Sequence, residues 1–243
     1  MGVSAEVLLM AAILGLYLYD SAQLLYRNEA VLIPAGQNDW IVGFGSEHLG
    51  VLRKELYIPN PLLMHRPMFR MSWQLEGNDA ATSLAQPPVR AFFPLAPLVW
   101  SMAIALFVFL PVGFFTRLGE PVLLLALVLL FTSILLALAW TWAHRGELQL
   151  SARRFLGLAF ESLVCPPFAL NLIRHLSMAT PMSEDLIHAA RRLQTPSRWA
   201  RTRQQIVLRL TNELEAEEEN SPRHVRLQAH RQSLIDEGEP CRP

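Results

Sequence analysis

The fold is decided by residues 91–143. They read AFFPLAPLVWSMAIALFVFLPVGFFT over 91–116, RLGE over 117–120 and PVLLLALVLLFTSILLALAWTWA over 121–143. Neither long run contains a charged residue, and four residues separate them. The first run of 26 residues would make a helix about 39 Å long, more than the roughly 30 Å of bilayer hydrocarbon. Buried helices of soluble proteins rarely stay uncharged over such lengths. Pro94 and Pro97 suit a first turn, so the sequence predicts a spanning helix over 95–116. Pro111 should kink it, and Gly113 weakens it further. Pro121 suits the opening of a second span over 121–143. With so short a turn, the two must run antiparallel.

A third apolar segment precedes this hairpin. Val7–Tyr19 is uncharged for 13 residues, between Glu6 and Asp20, and reaches spanning length only as a helix over 4–26. No Lys or Arg precedes it, so an uncleaved signal anchor fits better than a cleaved signal peptide. Ala11 and Gly15 form one small-xxx-small pair, as frequent by chance in an Ala-rich helix as at a helix interface. Cations near the helix ends set the orientation. Arg27, Arg90, Arg145, Arg153 and Arg154 lie on one side and Arg117 alone on the other, which puts the N-terminus outside and the C-terminus in the cytoplasm. Tyr17, Tyr19, Tyr26, Trp100, Trp140 and Trp142 fall at the same cytoplasmic interface, as an aromatic belt would.

Composition agrees. Hydrophobic residues make up 52% and charged ones 17%, and 21 Lys plus Arg balance 21 Asp plus Glu. A neutral chain of this kind excludes the strongly basic class of nucleic-acid binders, and two cysteines exclude a disulfide-dense domain. Lys54 is the single lysine, so arginine abundance by itself carries no functional meaning. The expected class is a mainly α-helical membrane protein with three transmembrane helices, a small β-rich cytoplasmic loop over 27–90 and a helical cytoplasmic tail.

Within the loop, Val31–Ile33, Trp40–Phe44 and Leu49–Ile58 are β-favouring runs separated by Pro and Gly, which predicts a hairpin or three-strand meander. Pro61–Trp73 mixes Arg66, Arg70 and Trp73 with Leu62, Met68 and Phe69. That suits either the lipid headgroup layer or a loop packed on the sheet. Gly77–Pro88 reads as a linker.

After the hairpin, Phe155–Ile173 is apolar but carries Glu161 and Pro166-Pro167. A fourth span would bury both, so 151–176 is read as an interfacial or re-entrant segment in two pieces. Ser151 caps the first, and Arg153 and Arg154 follow it. The charged tail covers 183–236, with a disordered end over 237–243. A helix over 197–219 capped by Ser197 would hold Arg198, Arg201, Arg203 and Arg209 early and Glu213, Glu215, Glu217, Glu218 and Glu219 late. That order opposes the helix macrodipole and calls for an offset from anionic lipid, from a partner or from solvent. Ser221-Pro222 should start a further helix.

No motif names a chemistry. Gly43-Phe-Gly45 lacks the third glycine of a dinucleotide loop, and the seven histidines show no zinc spacing. Glu184 and His188 are read as a surface pair on one helical face. No catalytic residue, cofactor or metal is assigned. Neither long run carries an ionisable residue, which disfavours a proton- or ion-coupled pump; Asp20 is the only candidate for such a group, and an interface position makes it ordinary. The residues expected to meet lipid headgroups or a partner are Arg66, Arg70, Trp73, Arg153, Arg154, Arg198, Arg201 and Arg203. The expected function is a scaffold, assembly or regulatory subunit of a bacterial inner membrane. Its partners would be the bilayer, anionic headgroups and an unidentified protein, and not nucleic acid. The alternatives are an enzyme acting on lipid or a lipid-linked substrate through His65, Arg66, Arg70, Cys165 and His175, or an auxiliary subunit of a transporter.

Overall fold

The computed structural model describes residues 4–36, 39–51, 54–73, 87–182, 184–219 and 221–237. The chain is mainly helical with small sheets and divides into two units. Unit 1 comprises Met1–Leu24, Leu56–Phe69 and Gln86–Pro181; unit 2 comprises Leu25–Glu55, Arg70–Ala85 and Met182–Pro243.

Unit 1 opens with helix α1, Ala5–Ser21. It is shorter than the 4–26 helix expected, because Gln23–Tyr26 is extended. Seventeen residues span about 26 Å, short of the hydrocarbon thickness. Gly15 faces open space, so the small-residue pair makes no close helix approach.

A continuous helical rod of 27 residues follows over Val89–Phe115. It begins as a 3-10 turn (Val89–Leu95), becomes α2 (Ala96–Ile104), widens into a π turn (Ala105–Phe109) and ends as α3 (Leu110–Phe115). The π turn lies just before Pro111, whose ring would clash with the carbonyl four residues back and whose missing N–H leaves that carbonyl unbonded. Thr116 leaves the helix in extended conformation, and Gly119 turns the chain with φ +38° into α4, Gly119–Ala143. The rod and α4 are both long and apolar enough to cross a membrane.

Their packing follows from sequence spacing. On α4, Ala126, Leu130, Ser133, Ile134, Ala137, Leu138 and Thr141 form one buried face at helical spacing. Val99, Met102, Ala103 and Leu106 are buried on the rod, and Ser133 Oγ donates to Ser101 Oγ at 2.9 Å. At the closed end, a Cβ on Gly113 would lie 2.6 Å from Leu123 Cδ2 and 3.2 Å from Leu123 N, so glycine sets the helix separation there.

Beyond α4 come α5 (Ala152–Val164), α6 (Pro166–Ala169) and α7 (Leu172–Ala179). Ser151 Oγ accepts from Arg154 N, and the helix stops before Pro166-Pro167. α5 is largely exposed, whereas Leu172, Ile173, Arg174, Leu176 and Ser177 of α7 are buried.

Among the described residues six strands form two three-stranded sheets, ordered β1-β5-β4 and β3-β2-β6. They are β1 Gln23–Tyr26, β2 Glu29–Pro34, β3 Trp40–Gly43, β4 Ser46–Val51, β5 Lys54–Tyr57 and β6 Phe69–Ser72. β2 and β3 are antiparallel, with Leu32 opposite Val42 inside and Ile33 opposite Ile41 toward the surface. The run Leu49–Ile58 is shared by two strands rather than forming one, and the end of Pro61–Trp73 is a strand rather than a loop. In unit 2 a Cβ on Gly45 would collide with Glu55 Cβ, which explains a glycine before β4.

The tail forms α8 (Leu186–Leu193), α9 (Pro196–Glu215) and α10 (Pro222–Asp236). α9 starts one residue earlier than expected, with Thr195 at the cap and Pro196 in the first turn, and it stops at Glu215 instead of 219. α10 starts after Ser221, whose Oγ accepts from His224 N. The linker residues 77–86 and the terminal residues 238–243 lie outside the described residues.

Candidate functional site

A dense polar arrangement lies in unit 1, where the last turn of α1 meets α7. Tyr17, Asp20 and Ser21 recur at three- and four-residue spacing and so share one face of α1. Asn171 stands just before α7 with its side chain free of any capping bond, and Arg174 and His175 follow within the first turn. Each amide atom of Asn171 is used twice. Oδ1 accepts from Arg174 Nη1 at 3.0 Å and lies 3.1 Å from Ser21 Oγ, whose single proton it shares with Tyr17 O at 2.8 Å; Nδ2 donates to Asp20 Oδ2 at 2.9 Å and to Tyr17 O at 3.3 Å. Both ends of the amide therefore face partners of the matching kind, which holds the side chain in one orientation.

Arg174 is 1% exposed, and neutral oxygens hold its guanidinium. Ser21 Oγ lies at 3.2 Å and Asn60 O at 2.7 Å, in addition to Asn171 Oδ1. Burial pulls this guanidinium below its ordinary value, and Tyr17, Tyr57 and Asp20 act in the opposite sense. Burial raises the Tyr57 phenol, with Arg174 opposing it. Tyr17 is itself buried and donates to Pro61 O, so it sits inside the unit and not in an aromatic belt. His175 Nε2 lies 2.9 Å from Asp20 Oδ2, and both side chains keep a partly exposed edge.

A carboxylate bonded to an imidazole can orient a general base, and this pair has an exposed edge. Cys165 supplies no matching nucleophile. Burial pushes its thiol up, Asp20 adds to that effect, and a reactive thiol needs the reverse. The cluster's first role is to fasten α1 to α7. Among the described residues no group of three or more His, Cys, Asp or Glu is placed to hold a metal ion.

The residues singled out from sequence are dispersed. Trp73 is corrected outright. It is 1% exposed and packs edge-on against Phe44, with ring centroids 6.2 Å apart, so it cannot face headgroups. Arg70 pairs with Glu29 at 3.2 Å, Arg66 is half-buried, and the His65 ring lies 5.5 Å from Trp100. Arg153 and Arg154 are exposed on α5. Arg198 pairs with Asp39 at 2.7 Å, while Arg201 is exposed and Arg203 half-exposed on α9. Glu184 pairs with Arg192 at 2.6 Å and not with His188.

Unit 2 itself offsets the reversed charge order of α9. Arg198 meets Asp39, and Arg209 Nη1 meets Glu55 Oε2 at 2.6 Å, both side chains being more than nine-tenths buried. Arg209 also donates to Gly45 O at 2.7 Å and lies over the Phe44 ring. At the acidic end, Arg223 of α10 reaches Glu213 and Glu217. A cleft of about 530 Å³ adjoins this arrangement, lined by Arg27, His48, Lys54 and Arg209 with Glu47, Glu55 and Glu213 among others. Its charges are mixed, so it selects no one ligand class. In comparisons with protein-family models, with curated proteins and with solved structures, nothing matches this chain.

Proposed function

We propose that this chain is an integral membrane protein of scaffold, assembly or regulatory type. The α2–α4 hairpin is its anchor, and unit 2 binds a protein partner in the cytoplasm. One observation carries the reading: only 33% of the most apolar window of each hairpin helix is buried within the chain. On α4, Leu124, Leu125, Leu127, Val128, Leu135 and Leu136 are all exposed, and an apolar surface of that extent needs lipid around it. The orientation rests on the arginine imbalance between the two ends of the hairpin. Arg201 and Arg203 make no ion pair among the described residues and are the cations of α9 left for a partner.

Purification of the full chain from detergent-solubilised membranes tests this reading against an Arg201→Glu/Arg203→Glu variant of equal abundance. A polypeptide retained stoichiometrically by the wild type and lost from the variant supports it. Retention by neither chain, or equally by both, contradicts the assignment of the binding surface.

The His175–Asp20 contact favours a second reading, an enzyme of the membrane interface in which Asp20 orients His175 as a base. In that case His175→Gln would abolish a cellular phenotype at unchanged abundance, whereas Arg201→Glu/Arg203→Glu would not.

A further inference from the structure

We infer that α5 is an in-plane membrane helix that gathers acidic phospholipid around the protein. This rests on the hairpin being inserted in a bilayer. Leu156, Phe160, Leu163 and Val164 recur at spacings of four, three and one along α5 and form a single stripe. All four are exposed, Leu156 at 64% and Phe160 at 68%. Ser162, on the other side, is the buried position of the helix. An amphipathic helix normally turns its apolar face inward, and here that face points away from the rest of unit 1.

Two features identify a lipid surface as the occupant. The first is continuity. Phe155 packs on Trp142 near the end of α4, with centroids 5.0 Å apart, so α5 departs from the end of the exposed apolar belt of that helix. The second is charge. Arg145 stacks over the Trp142 ring at 3.9 Å, and Arg153 and Arg154 occupy the exposed first turn of α5. Those two arginines work against the helix macrodipole and make no ion pair among the described residues. Three cations beside an outward apolar stripe match the phosphate layer of an acidic bilayer. Continuity with the apolar belt of α4 favours lipid over a protein groove.

Lipid selectivity and helix depth test the inference together. The full chain is reconstituted in phosphatidylcholine bilayers containing about 30% phosphatidylglycerol, with Cys165 and Cys241 replaced by serine. Spin-labelled phosphatidylglycerol and phosphatidylcholine report which lipid the protein immobilises. At about 1 kcal/mol per arginine near the surface, one effective arginine gives about a fivefold preference for the acidic lipid. The wild type should show at least that preference, and Arg145→Gln/Arg153→Gln/Arg154→Gln should lose it. A nitroxide at Phe160→Cys should collide with oxygen more than with a polar nickel complex, as should one at Leu127→Cys in α4. No lipid preference in the wild type, or a water-like nitroxide at 160 beside a lipid-like one at 127, overturns the inference and leaves the anchor intact. Water-like nitroxides at both positions would remove the anchor itself.

Discussion

Asp20 Oδ2 and His175 Nε2 lie 2.9 Å apart although 155 positions separate them in the chain. With Asn171, Ser21 and Arg174 they join the first helix to a short helix beyond the hairpin. The bonds among Asn171, Ser21 and Arg174 run between buried groups, so weakening them is costly, whereas Asp20 and His175 keep an edge open to solvent.

Arg174 is the most sensitive member. Arg174→Ala removes a buried donor from Asn171 Oδ1, Ser21 Oγ and Asn60 O at once, and should destabilise unit 1 by about 2–4 kcal/mol. The thermal midpoint of the purified protein in detergent reads this directly. Arg174→Lys, which restores the charge but not the fork, should recover part of the loss.

The two helical glycines of the apolar segments should respond oppositely to alanine. Gly113→Ala drives a methyl into Leu123 and should cost about 1–3 kcal/mol. Gly15→Ala meets nothing within 4 Å and should be neutral or stabilising by up to about 1 kcal/mol. Equal responses in the thermal midpoint would mean that the rod and α4 do not approach as closely as described.

In unit 2 the Arg209–Glu55 pair predicts non-additivity. Arg209→Met alone leaves a buried carboxylate and should cost about 3–5 kcal/mol. The double variant Arg209→Met/Glu55→Leu should be more stable than that single variant, because no buried charge remains. Additive losses would place the pair in solvent.

Acid should weaken the fold. Burial lowers the pKa of His65, and the Arg66 and Arg174 charges lower it further; burial also lowers that of His230. Their contribution is therefore fully present above the unfolded histidine value of about 6.5 and is lost as pH falls through the lower folded values. The thermal midpoint should drop on acidification below about pH 6.5, and the drop should be shallower in His65→Gln.

The features legible in the sequence are the local ones. The uncharged runs on either side of Arg117–Glu120, the Ser151 cap, the break at Pro166-Pro167 and the Ser221 start each depend on residues within a few positions of one another. The polar cluster joining α1 to α7 is not legible there. Asp20, Asn171 and Arg174 are separately unremarkable, and no periodicity announces hydrogen bonds across about 150 positions. For the same reason the charge order of α9 pointed outward to lipid or a partner, while Asp39 and Glu55 answer two of its arginines. Tyr17 and Trp73 show a related limit. An aromatic residue at the end of an apolar run or near arginines suits an interface or a core equally well until its packing partners, Phe107 for Tyr17 and Phe44 for Trp73, are placed.

The central claim is that α4 and the rod before it cross a bilayer and return. Single cysteines at Leu118→Cys and Glu147→Cys, with Cys165 and Cys241 replaced by serine, would be labelled in spheroplasts with a membrane-impermeant maleimide. Position 118 should be labelled in intact spheroplasts and position 147 only after lysis. Labelling at 147 without lysis, or recovery of the chain in the soluble fraction without detergent, would contradict the claim.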